Sequence, residues 1–537
     1  MSCRVTCGNL QPPSRPCWSI QMSWTEEVAE LNRRKKLAEQ MGGAEGVARQ
    51  RQRGKLTVRE RIHRLADPDS FREFRGLVGT GEYKDDKLVS FVPKPEVEGT
   101  LHINGRKAIV QASDFTVRSG ATATGQLGQE MSASARATEW RLPLVRLLDT
   151  AGGGVRAFDE LGRTYLPDGN LYHAPEVRLL SLVPVTSALL GSVAGYAAIS
   201  AVLSHFSVMV KGISHLFPGG PPVVKAAVGY DITKEELGGD AIHVNVSGCI
   251  DNLAETEDDA FAQIRKFLSY LPSSVDEMAP RVITGDPPAR ADQALLSIVP
   301  RNRRRPFDAQ KLIELIVDRG SFFQIAPRYG RSRITGLARL NGYTVGIMAN
   351  NPMVNGGATD VAAGSKAIRL MQLCNTFHLP LISLADEPGV QVGLESEKQG
   401  IERAGARLVS TVCLSEMPWC TVVVGRLYGV GGQCHHRPSG MFRRYCWPSA
   451  CWGSMHIAGG VSAAFRREIE ASPDPEAKRR EIESRLNAIA SPFRTAEATG
   501  QDIIDPRETR ALLCDFVEDA QRILRNQLGR PPIPYLP

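Results

Sequence analysis

Aromatic residues are scarce in this chain, and neither sign of charge is in large excess. Phe, Trp and Tyr make up 6% of the 537 residues, which argues against a platform on which nucleobases stack. The net charge of +7 is spread along the sequence, so it suits an anionic small ligand better than a nucleic acid. We therefore expect no nucleic-acid partner.

The sequence also lacks a clear membrane span and a disulfide pattern. Its longest uncharged stretch, Leu179 to Val210, is broken by Pro184, Gly191 and Gly195, which favours buried strand and helix over a transmembrane helix. Eleven cysteines, an odd number without regular spacing, are typical of a reducing compartment. We expect a cytoplasmic protein, or a mitochondrial matrix protein if the source is eukaryotic.

The first 21 residues differ in composition from the rest. They contain Arg and Ser but no acidic residue, as a mitochondrial transit peptide does. Their three prolines and the lack of an amphipathic period favour a disordered tail, or an upstream start with Met22 as a natural second start. We interpret residues 1–21 as a tail.

The remaining sequence repeats itself once at long range. The turn Asn104-Gly105 pairs with Asn341-Gly342, and the Leu-Pro-Leu triplet at Leu142 pairs with the one at Leu379, both at the same spacing. Each Asn-Gly pair lies between two β-rich runs and predicts a hairpin. A chain of this length, with 42% hydrophobic residues, can fill two cores.

A further pair of segments carries glycine turns. Val183 to Ser200 aligns with Met417 to Cys434, so that Gly195 meets Gly429. Both segments predict a buried strand, a turn and a helix. Each half is therefore predicted to be an α/β domain, residues 22–295 and 296–537.

Glycines at the end of a strand let the backbone approach a ligand, and the N–H groups of the following turn are donors for a phosphate or a developing oxyanion. The chain has neither the Gly-x-x-x-x-Gly-Lys-Ser/Thr loop nor a Rossmann glycine pattern, which disfavours phosphate. A purely structural role for each turn stays open. A Gly-x-Ser-x-Gly elbow is missing too.

Metal ligands and a catalytic base are poorly supported. The Cys and His residues that follow Gly432 are not spaced as zinc pairs, so no metal is expected. Asp149 and Asp386, at matching strand ends, could be catalytic carboxylates, although such residues more often fix a turn. Two oxyanion-binding turns without a clear base indicate that a substrate or cofactor brings its own base.

Eleven short motifs follow one another along the chain, among them GKLTVRERI, FPGGPPVVK, TGLARLNG, SKAIRLMQLCNTFHLPLISLADEPG and RLYGVGG. Together they resemble the carboxyltransferase (β) subunits of biotin-dependent acyl-CoA carboxylases of the propionyl-CoA and methylcrotonyl-CoA type. The likeness runs from about Gly43 to Arg467 and beyond. It implies an α/β chain with two crotonase-like (ClpP/crotonase superfamily) ββα superhelix domains in tandem. It also implies a homo-hexamer built as a trimer of dimers.

The resemblance implies an acyl-CoA carboxyltransferase, which moves CO₂ from carboxybiotin to the α or vinylogous carbon of an acyl-CoA. The acyl-CoA binds mainly to the first domain and carboxybiotin to the second. The biotin is carried by a partner biotin carboxylase/carrier subunit, since this chain has no Ala-Met-Lys-Met site and no P-loop. Biotin that has released its CO₂ acts as the base, so two oxyanions arise and two oxyanion holes are needed.

By motif, the first hole falls on Gly195 and Tyr196, for the thioester oxygen. The second falls on Val430 and Gly431, for the biotin ureido oxygen, whereas the internal repeat places it at Gly429 and Val430. The flanking residues predicted to bind the cofactor are Gly429 and Gly432. The residues predicted to bind the substrate are Gly152, Gly153 and Gln433.

The chain departs from the family pattern near both turns. Relatives usually have Gly-Gly where Gly195 and Tyr196 stand, and the propionyl enzymes have an acid where Gln433 stands. Side chains that could contact the acyl group or biotin, or simply pack, are Gln433, His435, His436, Trp447 and Trp452. Candidates for the CoA phosphates, each of which could also be merely solvated, are Arg118, Arg136 and Lys211.

Two alternative functions stay open. The same two holes could serve the decarboxylation of a malonyl-CoA or methylmalonyl-CoA type of substrate. The chain could also be a catalytically silent hexameric scaffold, although the retained glycine turns argue against that hypothesis. Which acyl-CoA is used stays open as well.

Overall fold

A computed structural model describes residues 23–121, 132–153, 158–159, 162–164, 170–303 and 305–537. The predicted tail, residues 1–21, lies outside these ranges. In the part of the chain that is described, no helix is both long and apolar enough to cross a bilayer.

Two sheets follow one another along the chain. The strands up to residue 254 are β1 Arg72–Phe74, β2 Gly79–Lys84, β3 Lys87–Pro93, β4 Glu96–Ile103, β5 Arg106–Ser113, β6 Leu144–Thr150, β7 Val185–Ala194, β8 Phe206–Val210, β9 His215–Phe217 and β10 Asn252–Ala254. The later strands are β11 Phe323–Ile325, β12 Arg333–Leu340, β13 Tyr343–Asn350, β14 Leu381–Glu387, β15 Trp419–Tyr428, β16 Phe442–Cys446 and β17 Cys451–Gly453.

The two sheets share one topology, except that the first has an additional strand, β10, beside β8; β2 and β3 form a separate two-stranded sheet. The first runs β1-β4-β5-β6-β7-β8-β10 with β9 beside β7, and the second runs β11-β12-β13-β14-β15-β16 with β17 beside β15. Their registers match as well, because Leu144 pairs with Val185 in the first sheet as Leu381 pairs with Trp419 in the second. The predicted tandem α/β architecture is confirmed.

Helices cover the sheets and connect their parallel strands. Those up to residue 270 are Thr25–Glu39, Gly43–Gln52, Val58–Leu65, Ala133–Trp140, Asn170–Leu179, Tyr196–Val202, Pro221–Val228, Lys234–Gly238, Asp240–His243 and Glu257–Tyr270. Those that follow are Ala309–Ile316, Val361–Thr376, Leu394–Lys398, Ile401–Leu414, Gly429–Gln433, Ile457–Ala464, Arg466–Glu470, Pro475–Ile489, Pro492–Thr499 and Thr509–Leu524. Short 3₁₀ turns lie at Arg118–Gly120, Gln293–Leu296, Asn355–Gly357 and Pro506–Glu508.

Both predicted Asn-Gly turns are two-residue hairpins. Ile103 pairs with Arg106 across the first, and Leu340 pairs with Tyr343 across the second. All four turn residues have positive φ, the requirement of the type I′ turn that suits the right-handed twist of paired strands. Local sequence therefore sets the register of β4 with β5 and of β12 with β13.

The largest hydrophobic core contains residues from both sheets. It joins Leu144 and Phe206 of the first to Leu337 and Trp419 of the second. A second core underlies the second sheet and includes Leu295, which precedes the predicted boundary at residues 295 and 296. The two halves thus share packed interior, and the boundary itself stays a prediction.

The end of the chain crosses back onto the first half. The Tyr535 N–H donates to the Ser181 hydroxyl at 3.1 Å, and the buried Tyr535 ring lies 4.4 Å from the His205 ring. Its hydroxyl also hydrogen bonds with Arg369, a residue of the second half. The last residues therefore fasten the two halves together.

Tyr535→Phe should lower the free energy of unfolding by about 1.5 to 3 kcal/mol, because a buried hydrogen bond to a charged group is lost. Chemical denaturation followed by circular dichroism measures the change. Tyr83→Phe, at a tyrosine that is 57% exposed, is the matched control and should shift the midpoint little. Equal midpoints for the two variants would contradict a fastening role for the Tyr535 hydroxyl.

Candidate active site

The first glycine turn lies where β7 leaves the sheet. Gly195 follows the last residue of β7 with φ 65°, and the helix Tyr196–Val202 begins at the next residue. Gly152, two residues after the end of β6, lies against it: a Cβ atom at Gly152 would lie 2.7 Å from the Ala194 oxygen. The structure therefore brings together Gly152 and Gly195, two of the predicted site residues, while Gly153 beside them has open space around it.

The N–H of Gly195 already has acceptors. It donates to the carbonyl oxygens of Phe217 and Pro218, at 3.3 and 3.1 Å. An oxygen atom bound at this turn therefore has to use N–H groups other than that of Gly195.

The second glycine turn repeats this arrangement after β15. Gly429 follows Tyr428 with φ 58°, as Gly195 follows Ala194. Tyr428 pairs with Gly453 of β17 as Ala194 pairs with Phe217 of β9, so the two turns are equivalent in the fold. The helix Gly429–Gln433 starts at once, and its first N–H groups have no acceptor within the helix.

Close packing leaves little room for a side chain behind the second turn. A Cβ atom at Gly431 would lie 3.0 Å from Glu387 Oε1, and one at Gly432 would lie 3.0 Å from the Leu427 carbonyl carbon. Val430, in contrast, is 51% exposed. The turn is thus open to a ligand on one side and rigidly supported on the other.

Asp149 and Asp386 are held in ion pairs beside these turns. Asp149 is fully buried, with Lys55 at 2.8 Å and Arg61 at 3.1 Å. Asp386 pairs with Arg426 at 2.7 Å. Only glycine fits beside each carboxylate. A Cβ atom at Gly191 would lie 2.0 Å from Asp149, and one at Gly425 would lie 2.3 Å from Asp386. Both carboxylates therefore fix the strand ends.

A buried cluster of charged and polar groups, here called the Glu387 cluster, supports the second turn. Its central ion pair joins Glu387 to Arg333 at 2.7 Å. The other groups that donate to the Glu387 carboxylate are the Asn350 amide at 2.8 Å, the Thr359 hydroxyl at 2.6 Å and the Gly389 N–H at 3.1 Å. His435 completes the cluster, with ring nitrogens 3.1 Å from Arg333 and 2.6 Å from the Ser383 hydroxyl.

The Glu387 cluster keeps its carboxylate charged. Burial alone raises the pKa of Glu387, but Arg333 and the hydrogen bonds outweigh burial and lower this pKa from 4.5 to about 2. Burial lowers the pKa of His435, so the imidazole is neutral near pH 7. The cluster was not predicted from the sequence, because its members come from five separate segments.

Stability should depend on pH through Glu387. Its folded-state pKa lies below its unfolded value, so the charged group stabilises the fold above about pH 4.5 and this contribution is lost as pH falls toward 2. The gap from 4.5 to about 2 corresponds to about 3 kcal/mol. Glu387→Gln should therefore flatten the loss of stability between pH 5 and 2, as measured by urea denaturation. A variant with the same pH dependence as the unmodified protein would contradict this assignment.

The residues after the second turn divide into buried and exposed groups. Cys434 and Trp447 are buried, and the Trp447 ring nitrogen donates to the Thr509 hydroxyl at 2.9 Å. Trp452 donates to Thr495 at 3.1 Å. Gln433 and His436 are exposed, the His436 ring lying 4.4 Å from the Phe442 ring. Of the residues that could contact the acyl group or biotin, His435 and Trp447 instead bond to buried protein groups. Gln433 stays a predicted substrate contact.

The predicted phosphate ligands have protein partners. Lys211 lies 3.3 Å from Glu255, and both side chains are exposed. The Arg136 guanidinium lies 4.4 Å from the centre of the Phe74 ring. Within the described ranges, no three His, Cys, Asp or Glu side chains come together as a metal site.

Comparison with known proteins gives a consistent result. The family model for the carboxyl transferase domain matches residues 49–526. The chain belongs to the carboxyl transferase family. The predictions of family, of crotonase-like tandem fold and of carboxyltransferase function are thereby confirmed.

Three relatives of this carboxyl transferase match it over most of their length. The carboxyltransferase subunit of propionyl-CoA carboxylase from Haloferax mediterranei is 33% identical over 91% of this chain and 95% of its own length. The methylmalonyl-CoA carboxyltransferase 12S subunit of Propionibacterium freudenreichii subsp. shermanii is 34% identical, over 91% and 93%. Methylmalonyl-CoA decarboxylase subunit alpha of Veillonella parvula is 33% identical, over 91% and 95%.

A solved relative has the same fold. The transcarboxylase 12S crystal structure, a hexamer with methylmalonyl-coenzyme A and methylmalonic acid bound, superposes with a TM-score of 0.83. It is 32% identical, and the match covers 93% of this chain and 96% of that one.

Proposed function

We propose that this chain is the carboxyltransferase subunit of a biotin-dependent acyl-CoA carboxylase. Its substrates are an acyl-CoA and a carboxybiotin group carried by a partner subunit. The observation that supports this function best is the pair of left-handed glycine turns, Gly195 after β7 and Gly429 after β15, at equivalent places in two equivalent sheets. One reaction with two developing oxyanions needs two such sites.

The first turn binds the thioester oxygen of the acyl-CoA. Loss of the α-proton moves negative charge onto that oxygen, and N–H groups at the Gly195 and Tyr196 turn stabilise the charge. Because the Gly195 N–H is directed to Phe217 and Pro218, the main donors are the amides at the start of the helix Tyr196–Val202. Gly152 packs against the Ala194 backbone, and the thioester can lie beside Gly153, which has open space around it.

The second turn binds the ureido oxygen of biotin. Gly429 redirects the chain, and the N–H groups of Val430 and Gly431 lie in the first turn of the helix that follows. This geometry favours Val430 and Gly431 as the donors, with Gly429 as the residue that bends the backbone and Gly432 as the residue that lets the helix pack against Leu427.

The residues at the second turn fit such a group. Val430 is exposed, the other three residues of the turn are glycines, and the Glu387 cluster supports the turn from behind. A flat ureido ring can therefore approach the N–H groups of the turn. When bound, carboxybiotin supplies CO₂ and, after its release, a base at the ureido group. The chain itself holds both oxygens, and neither Asp149 nor Asp386 serves as a base, since each is held by cations.

The proposed assembly is a homo-hexamer, a trimer of dimers, with a biotin carboxylase/carrier subunit as partner. The hexamer of transcarboxylase 12S supports this proposal. The decarboxylase from Veillonella parvula supports a second candidate, in which the same turns release CO₂ from a methylmalonyl-CoA type of substrate. In that reaction the first turn stabilises the thioester enolate that remains after CO₂ leaves.

Incorporation of isotopic bicarbonate tests the function. The chain is purified together with its biotinylated partner. The preparation is supplied with ATP, isotopic bicarbonate and one acyl-CoA at a time: acetyl-, propionyl-, branched or long-chain acyl-CoA. Labelled carboxyl-CoA product is expected with at least one of them. Absence of labelled product across the panel contradicts the carboxylase function, and CO₂ release from methylmalonyl-CoA in the same preparation would then favour the decarboxylase.

A further inference from the structure

The side chain of Tyr196 distinguishes the first glycine turn from the second. Tyr196 follows Gly195 and is 37% exposed, whereas Val430 follows Gly429 at the equivalent place. An aromatic ring thus stands at the turn proposed for the thioester, and a small aliphatic group stands at the turn proposed for biotin.

A neighbouring helix, Asn170–Leu179, holds the Tyr196 ring in place. The Tyr196 hydroxyl donates to Glu176 Oε2 at 2.8 Å. The His173 ring meets the Tyr196 ring edge to face, with 4.6 Å between their centres. To swing aside, the ring has to give up a charge-assisted hydrogen bond and an aromatic contact together.

Glu176 is itself fixed by a buried network. The Ser200 hydroxyl donates to its Oε2 at 2.5 Å, and Arg146 Nη2 lies 3.4 Å from its Oε1. Arg146 is buried and donates to the carbonyl oxygens of Ser200 and Leu203, at 2.9 and 2.8 Å. The position of the Tyr196 ring is therefore set by the fold before any ligand binds.

We infer that the Tyr196 ring is a wall of the acyl pocket and limits the substrate to short acyl chains. This role rests on the proposed function, which puts the thioester oxygen at the Gly195 and Tyr196 turn. The acyl carbons next to that oxygen then lie beside a fixed aromatic ring, which occupies the space that additional methylene groups need. Acetyl-CoA and propionyl-CoA are accordingly accepted, and acyl groups of about eight carbons are rejected.

Carboxylation of an acyl-CoA series tests this role. Acetyl-, propionyl-, butyryl- and octanoyl-CoA are compared by kcat/KM, with the copurified partner, ATP and isotopic bicarbonate. Tyr196→Ala should raise the ratio of kcat/KM for octanoyl-CoA to that for propionyl-CoA by at least about 10-fold, because several methylene groups gain space. Tyr196→Phe keeps the ring but loses the bond to Glu176, so the ratio should rise by a smaller factor.

The ratio separates selectivity from folding, because a damaged fold lowers both rates together. Tyr83→Ala, which removes an exposed tyrosine from the β2 and β3 hairpin, is the matched control and should leave the ratio unchanged. An unchanged ratio in both Tyr196 variants, or an unmodified protein that already prefers octanoyl-CoA, overturns the inference. An unmodified protein that carboxylates no acyl-CoA contradicts the proposed function instead.

Discussion

Gly195→Ala and Gly429→Ala are each expected to lower the turnover of carboxyl transfer by about 10²- to 10³-fold, the effect of losing a donor from an oxyanion hole. Both glycines have φ near 60°, a region that alanine disfavours, and Gly195 also has ψ −137°, outside the left-handed helical region. The backbone relaxes toward negative φ, and the N–H groups that follow rotate away from the oxygen they are meant to hold. Turnover with the copurified partner and propionyl-CoA, under saturating substrate, measures the effect.

Two other glycines provide matched controls for these variants. Gly212 and Gly400 have φ of 73° and 74°, and a Cβ atom at either would meet no atom within 4 Å. Gly212→Ala and Gly400→Ala therefore also place an alanine at a positive φ, but outside the two turns. They should keep turnover within about threefold of the unmodified protein, and losses equal to those at Gly195 and Gly429 would attribute the effect to strain alone.

Arg333→Met is expected to destabilise the fold by about 3 to 5 kcal/mol, because it leaves the Glu387 carboxylate buried without its cation. Both side chains are almost completely buried, so water cannot replace the lost partner. The double variant Arg333→Met/Glu387→Gln should recover part of the loss, since the uncompensated charge is gone. Urea denaturation measures the three differences.

An exposed ion pair serves as the control for Arg333→Met. Lys211 and Glu255 are 57% and 66% exposed, so Lys211→Met should change stability by no more than about 1 kcal/mol. A similarly small effect of Arg333→Met would show that the Glu387 cluster contributes little to the fold. It would also remove the cluster as the rigid support of the second turn.

The duplicated fold could be predicted because its turns have local sequence signals. Asn104-Gly105 and Asn341-Gly342 specify type I′ hairpins in both halves. As a result, β4 pairs with β5 in the same register as β12 pairs with β13. The equivalence of Gly429 and Gly195 could be predicted because the segments Val183 to Ser200 and Met417 to Cys434 align, and in the structure both glycines have positive φ. Repetition of such signals is sufficient to indicate repeated architecture.

The surroundings of the turns could not be predicted, because they depend on contacts between distant segments. The engagement of the Gly195 N–H by Pro218 requires β9 to lie beside β7, which no local pattern specifies. His435 had possible roles in metal or substrate binding, but Arg333 and Ser383 hold it in the interior. One sequence feature did indicate the cluster. Glu387 directly follows Asp386 in a predicted buried strand, and a buried carboxylate is usually paired with a cation.

The central claim is that the first turn serves the acyl-CoA and the second serves carboxybiotin. The most direct measurement is release of labelled CO₂ from the carboxylated partner without acyl-CoA, compared with transfer to propionyl-CoA, for Gly195→Ala and Gly429→Ala. Gly429→Ala should slow both reactions, whereas Gly195→Ala should slow transfer at least about 10-fold more than release. Equal effects of the two variants on the release reaction, or a larger effect of Gly195→Ala, would contradict the assignment of the two turns.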